Sequence, residues 1–376
     1  RVTNLKFKGS IANLSVNGQI EGTNGALRYG KTFHKAAGIP LTLMADARYT
    51  GEKLAIKKSR LKLHTMELAT AGDIQFGDDT VLNLSLDSQP AALEGWGQII
   101  PALSSYQLGG TMDLRATVRG KIGKGAVPQI EGTLALQNAS AKPPEFPKAI
   151  ENLDTRINFT GHRADIADMS LTLGKSRISL AAAIEKFAPL TFTYTISTPE
   201  IWPADYKASL PPERNVDVLR DLQSEGRFTL AGASMLYEGK VSSAHGTLYN
   251  VAYKGLDAAL ALADQVATIR SLRVNILQGS VQMEGEYSFK DPAPSFSAAS
   301  KIQGIDIKEL YYFLDPEAEH DIRGRMNGEM KLSGRGNNWE AIKPTLRGQG
   351  AMEVLQGALL NFNIAEGTLG GITGIP

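Results

Sequence analysis

The sequence predicts an all-β chain: antiparallel sheet modules repeated end to end into an elongated, curved groove, with short linker helices. Three observations predict it. Apolar and polar side chains alternate along most of the chain. A glycine-marked unit recurs about every 110 residues. Helical periodicity is confined to three short stretches.

The alternation is clearest at Leu190-Thr191-Phe192-Thr193-Tyr194-Thr195-Ile196-Ser197 and at Leu82-Asn83-Leu84-Ser85-Leu86-Asp87. It returns at Ile157-Asn158-Phe159-Thr160, Phe228-Thr229-Leu230 and Met330-Lys331-Leu332-Ser333. Successive side chains of a strand point to opposite faces, so each run makes one apolar face and one wet face. A parallel sheet buried between helices would show solid apolar runs instead.

The helical stretches are Pro90–Leu103, Trp202–Leu222 and Ile305–Leu314. Each precedes a glycine-rich strand start: Leu108-Gly109-Gly110-Thr111-Met112, Glu225-Gly226-Arg227-Phe228, and Asn327-Gly328-Glu329-Met330. A second glycine follows about 20 residues later, pairing Gly110 with Gly132, Gly226 with Gly246 and Gly328 with Gly350. That distance is one antiparallel hairpin. Gly22, in Ile20-Glu21-Gly22-Thr23, matches Gly132 in Ile130-Glu131-Gly132-Thr133. A period this long, with about five strands per copy, predicts sheet modules laid end to end. The modules expected are 1–107 (partial), 108–222, 223–325 and 326–376, the last being the start of a further copy. Glycine weakens a strand, so its recurrence marks bulges, bends or tight turns. Lys142–Pro147 and Pro211–Glu213 read as loops.

Composition narrows the function. Forty basic and 39 acidic residues leave a net charge of +1, which argues against a nucleic-acid partner. That balance gives no reason to expect an anionic membrane surface either. With no cysteine, thiolate metal sites, disulfides and cysteine nucleophiles are excluded. The absence also fits an oxidising compartment. No run of about 18 apolar residues occurs. The chain starts at Arg1 and stops at Pro376 without a closing motif, so it reads as the interior of a longer one.

An apolar sheet face must be covered. Ordinarily a second sheet covers it, as in sandwiches and barrels. With few helices to hand, a coiled gutter would instead leave its concave face open to acyl chains. Each buried methylene is worth about 0.8 kcal/mol, so a sixteen-carbon chain gains roughly 12 kcal/mol before costs.

The repeated pattern of short apolar helix, glycine and strand ending in Gly-x-Gly resembles the AsmA family of bacterial envelope proteins. The resemblance is strongest over Met326–Gly336 and Leu346–Leu360, where Leu332-Ser333-Gly334-Arg335-Gly336 and Leu346-Arg347-Gly348-Gln349-Gly350-Ala351-Met352-Glu353-Val354 carry it. Weaker copies cover nearly the whole chain. The resemblance implies a periplasmic location in a Gram-negative bacterium and an inner-membrane anchor outside this sequence. It also implies a conduit passing phospholipid toward the outer membrane, with no cofactor and no catalytic residues.

No other chemistry stands out. His34, His64, His162, His245 and His320 are too far apart in sequence for a local metal motif. His162 and Asp165 read as a solvated loop pair. Gly174-Lys175-Ser176 has Met169 where a P-loop needs glycine, and its context is strand rather than strand-to-helix. No Gly-x-Ser-x-Gly elbow occurs. Asp78-Asp79 and Glu317–Asp321 read as acidic turns, and Trp96 and Trp202 as anchors of the linkers.

The residues expected to line the groove are therefore the apolar members of the clean alternations. They are Leu82, Leu84, Leu86, Ile157, Phe159, Leu171, Leu173, Ile178, Leu180, Leu190, Phe192, Tyr194, Ile196, Phe228 and Leu230. The alternative is a scaffold or assembly factor for outer-membrane proteins that pairs client strands with exposed sheet edges.

Overall fold

A computed structural model of the chain describes residues 2–10, 12–123, 126–207, 216–232, 234–314 and 322–359. The chain divides into two compact units, Arg1–Leu210 with Arg227–Gly232, and Pro211–Gly226 with Ala233–Pro376. Each is an antiparallel sheet with a few short helical turns.

The first unit contains β1 (Val2–Ser10), β2 (Asn13–Glu21), the small hairpin β3 (Leu27–Tyr29) and β4 (Phe33–Lys35), β5 (Leu41–Tyr49), β6 (Lys53–Leu63), β7 (Met66–Gln75), β8 (Thr80–Ser88) and β9 (Ala91–Ala92). Two 3-10 turns follow at Trp96–Gln98 and Pro101–Leu103. Then come β10 (Gly109–Ile122), β11 (Gln129–Ala141), β12 (Ile150–Gly161), β13 (Arg163–Leu173), β14 (Ser176–Phe187), β15 (Leu190–Ile201) and α1 (Pro203–Tyr206). The ladder runs β1-β2-β5-β6-β7-β8-β10-β11-β12-β13-β14-β15. The end of β16 (Val218–Ala231) belongs to this unit too.

The second unit holds the start of β16, then β17 (Ser234–Leu248), β18 (Val251–Ala263), β19 (Val266–Ile276), β20 (Gly279–Ser288), β21 (Ser295–Asp306), α2 (Ile307–Leu314), β22 (Ile322–Arg335), α3 (Trp339–Ile342) and β23 (Arg347–Leu359). Its ladder runs in chain order from β17 to β23. Neither ladder closes on itself among the described residues.

Three expectations need correction. Each full set between linkers has six long strands, not five: β10–β15 and β16–β21. The stretch Pro90–Leu103 is two 3-10 turns rather than a helix, because Gly95 sits at φ 82° and Pro101 interrupts it. In Trp202–Leu222 only Pro203–Tyr206 is helical, and Val218–Leu222 is already strand β16. Its Val218, Leu219 and Leu222 imitate helical spacing, although the strand buries Val218 and Leu222 on one face; Asp221 between them has φ 50°. The third stretch is helical over Ile307–Leu314. Lys142–Pro147 is the loop between β11 and β12; Pro211–Glu213 lies outside the described residues.

The recurrent glycines serve different needs. Gly132 has φ 140°, and a Cβ there would lie 2.0 Å from the Arg115 carbonyl oxygen. Gly246 has ordinary backbone angles but would strike the Val218 carbonyl at 2.0 Å. One is a conformational requirement and the other a close approach.

The linkers all sit along one edge of their sheet, where they grip the hairpin turn between the fourth and fifth strands of the set before them. In the β6–β7 turn, His64 Nε2 meets the Glu94 carbonyl at 2.8 Å, and the Thr65 hydroxyl donates to the Ala92 carbonyl at 2.6 Å. The Trp96 indole donates to Thr65 Oγ1 at 3.0 Å. In the β13–β14 turn, the Lys175 and Ser176 amides and the Ser176 hydroxyl all donate to Asp205 Oδ2 at 2.8–3.1 Å. In the β19–β20 turn, the Gln278 amide side chain donates to Glu309 Oε1, and the Asp306 amide to the Leu277 carbonyl. Three linkers of unlike sequence thus perform one structural task.

Bulky buried carbon follows that edge. In the first unit Leu63, Trp96, Ile99 and Leu173 are buried; in the second, Val218, Leu222, Tyr253, Ile305 and Ile307. All lie in linkers or at the strand ends beside them. Tyr253 donates to or accepts from Ser243 Oγ at 2.6 Å, and burial pushes its pKa up against that hydrogen bond.

Candidate functional site: the open apolar face

The ladder register decides which side chains share a face. In the first unit, Ile74 pairs with Leu82, Gly72 with Leu84, Leu84 with Val118, Val118 with Ile130, Leu134 with Ile157, and Ile157 with Ile166. On the far strands Leu171 pairs with Ile178, Leu180 with Ile196, Ala182 with Tyr194 and Ile184 with Phe192. Paired residues lie on the same side of a sheet. The apolar residues therefore make one unbroken face from β5 to β15. Phe228 extends it, stacking on Phe192 at 5.1 Å between centroids and lying 5.7 Å from Tyr194.

All the expected lining residues fall on that face: Leu82, Leu84, Leu86, Ile157, Phe159, Leu171, Leu173, Ile178, Leu180, Leu190, Phe192, Tyr194, Ile196, Phe228 and Leu230. None lies in the second unit. Leu173 is buried, because it sits at the linker edge, and Leu230 is exposed. The other thirteen are half-buried. Each of these thirteen keeps part of its surface open, as expected of a face that is not fully covered.

The opposite face is wet. Asp87 pairs with Arg115, Lys53 with Asp73, Arg119 with Glu131 and Lys121 with Asp79, all solvated ion pairs. Such pairs add little stability. One hydroxyl expected to be wet is not: Thr191 is buried beside Thr229.

The second unit repeats the division. Leu262, Leu260, Ile269, Met283, Ala298 and Leu332 fall on one face and Lys301, Glu329 and Lys331 on the other. A hollow of about 510 Å³ lies over the apolar side, lined by Leu260, Leu262, Ile269, Met283, Tyr287 and Phe296 among others. That volume is in the range of small-molecule sites. A larger hollow, about 880 Å³, is lined by the charged side, including Arg270, Arg273, Glu284, Lys301, Glu329 and Lys331. Concavity is therefore not reserved to the apolar face as the gutter expectation had it. A strongly twisted sheet is saddle-shaped, so each face is concave along one diagonal.

Apart from Leu332, sequence reading missed the second unit's apolar residues for two reasons. Ala258-Ala259-Leu260-Ala261-Leu262-Ala263 carries small apolar residues on both faces, which hides the alternation. Between Ile269 and Leu272 a bulge breaks the period of two. The same happens between Ile166 and Met169 in the first unit.

The remaining motifs are structural. Gly174-Lys175-Ser176 is a strand-to-strand turn whose amides bind Asp205. Trp96 is a core anchor; Trp202 is half-buried beneath the Lys175 ammonium, 4.6 Å from its ring centroid. Asp79 is held by Lys121. Glu317–Asp321, with His320, lies outside the described residues. Among the described residues no three His, Asp or Glu side chains gather as a metal site, and no helix is long and apolar enough to cross a membrane.

No protein-family model, curated protein or solved structure matches the chain.

Proposed function

We propose that the chain binds phospholipid by shielding its acyl chains on the apolar face, as part of a periplasmic conduit between inner and outer membranes, without catalysing a reaction. The observation that carries this reading is the continuity of the apolar face from Leu82 to Ile196, whose residues are mostly half-buried rather than fully covered. Such a face offers carbon and almost no hydrogen-bonding groups, because the backbone groups beneath it are spent on the ladders. That chemistry suits an acyl chain, whose methylenes gain by leaving water and need no polar partner. Headgroups would stay at the rim, so discrimination between them is expected to be weak. The apolar hollow of the second unit and the resemblance to the AsmA family support the same reading.

The test is a photo-crosslinking residue at Phe192, irradiated in cells producing the chain, with Asp87 on the wet face as control. Phospholipid recovered on the Phe192 variant alone is expected. An outer-membrane protein recovered there in place of lipid would favour the scaffold reading. Lipid on neither variant would sink the conduit.

A further inference from the structure

We propose that the β3–β4 hairpin is a docking finger for an anionic lipid bilayer. It lies on a surface that the acyl-chain reading does not use, so the two readings fail separately.

The hairpin interrupts the first set of strands between β2 and β5. Nine consecutive residues, Asn24–Thr32, are exposed. Among them are Leu27, 49% exposed, and Tyr29, 79% exposed, on the same face of a three-residue strand. Arg28 and Lys31 stand beside them, with Gly30 at φ 54° making the turn. No aspartate or glutamate occurs between Glu21 and Asp46. The whole-chain charge of +1 thus hides a local excess.

The tip is displayed by a rigid base. Lys35 is fully buried, and its ammonium donates to the Thr23, Gly25 and Ala36 carbonyls at 3.0, 2.8 and 3.1 Å. The His34 amide donates to the Ile99 carbonyl at 2.8 Å, tying the hairpin to the linker. Phe33 and Ile39 pack against the Leu63, Trp96 and Ile99 core. Glu21 braces the other strand: hydrogen bonds from the hydroxyls of Thr23 and Thr42 hold its carboxyl below the usual range.

A structure that buries a lysine to hold out a leucine and a tyrosine calls for a partner at the tip. Tyrosine and leucine flanked by arginine and lysine is the chemistry of the bilayer interface. The apolar parts enter the headgroup boundary while the cations meet phosphates. An acidic protein would satisfy the cations but gives no reason for the projecting apolar pair.

The lack of native cysteine allows a clean reporter. Leu27→Cys carrying an environment-sensitive fluorophore is titrated with vesicles of phosphatidylcholine, alone and mixed with phosphatidylglycerol. Asn83→Cys on the wet face is the control. A blue shift at position 27 only, with the anionic vesicles only, and reversed by salt, is expected. Each basic residue removed should weaken binding about fivefold, so Arg28→Gln with Lys31→Gln should weaken it about 30-fold. Because these side chains are exposed, the variants should melt like the parent. No shift with either vesicle, an equal shift with both that ignores the double substitution, or a shift on an acidic protein but not on vesicles would overturn the proposal.

Discussion

The linker edge and the middle of the strands are built from the same apolar alternation, yet they end in different states. At the edge, Leu63, Trp96 and Ile99 lose nearly all contact with water. In the middle, Leu84, Ile157 and Phe192 are only half-buried. The difference is a covering layer. Linkers fold over the strand ends and bring Trp96 and Ile99 with them, whereas nothing in the described chain brings such cover to the centre. An amphipathic strand specifies that one face will be apolar and leaves open what will lie against it.

That contrast can be broken by measurement, and the largest effect belongs to the edge. Ile99→Ala removes a fully buried side chain from the one cluster the linker closes, and should cost about 3–4 kcal/mol in chemical denaturation. Phe192→Ala at the centre should cost only about 1–2 kcal/mol, from its partial burial and its stacking on Phe228. Equal losses would mean the centre is packed core after all.

Asp205→Ala comes next, at about 2–3 kcal/mol, because it strands the Lys175 and Ser176 amides at the turn. Proteolysis should then open the β13–β14 hairpin before the rest of the sheet. An unchanged digest would mean the linker does not hold that turn.

Tyr253 sharpens the contrast by pH. Burial raises its pKa, so the neutral form is favoured in the fold. The stability it contributes is whole below the unfolded tyrosine pKa of about 10 and is lost as pH rises through the higher folded value. Alkaline melting curves should fall less steeply for Tyr253→Phe; parallel curves would contradict the buried placement. Smallest of all is Arg115→Ala on the wet face, which breaks an exposed pair with Asp87 and should cost under about 1 kcal/mol.

The fold class was legible because period-two alternation survives wherever the ladder is regular. Runs such as Leu190–Ile196 became strands with the expected face toward their neighbours. It became illegible where alanine filled both faces, as in β18, and where bulges reset the period, as after Ile166 and Ile269. The linkers were located but not shaped: Trp96 and Trp202 marked where they lie, while helix length depended on Gly95, Pro101 and contacts with distant turns. Nothing local announced that Lys35 would be buried, since its three acceptors are backbone carbonyls that only the folded hairpin gathers.

By itself the sequence determined that the chain is antiparallel sheet with one apolar and one charged face, because side-chain direction in a strand follows from covalent geometry. Only tertiary structure decided which apolar residues are buried, which hairpin turns the linkers hold, and that both faces of the second unit are hollowed. Those outcomes depend on twist, bulges and contacts between residues about 30 apart, such as Asp205 with Ser176, and no local pattern of residues encodes them.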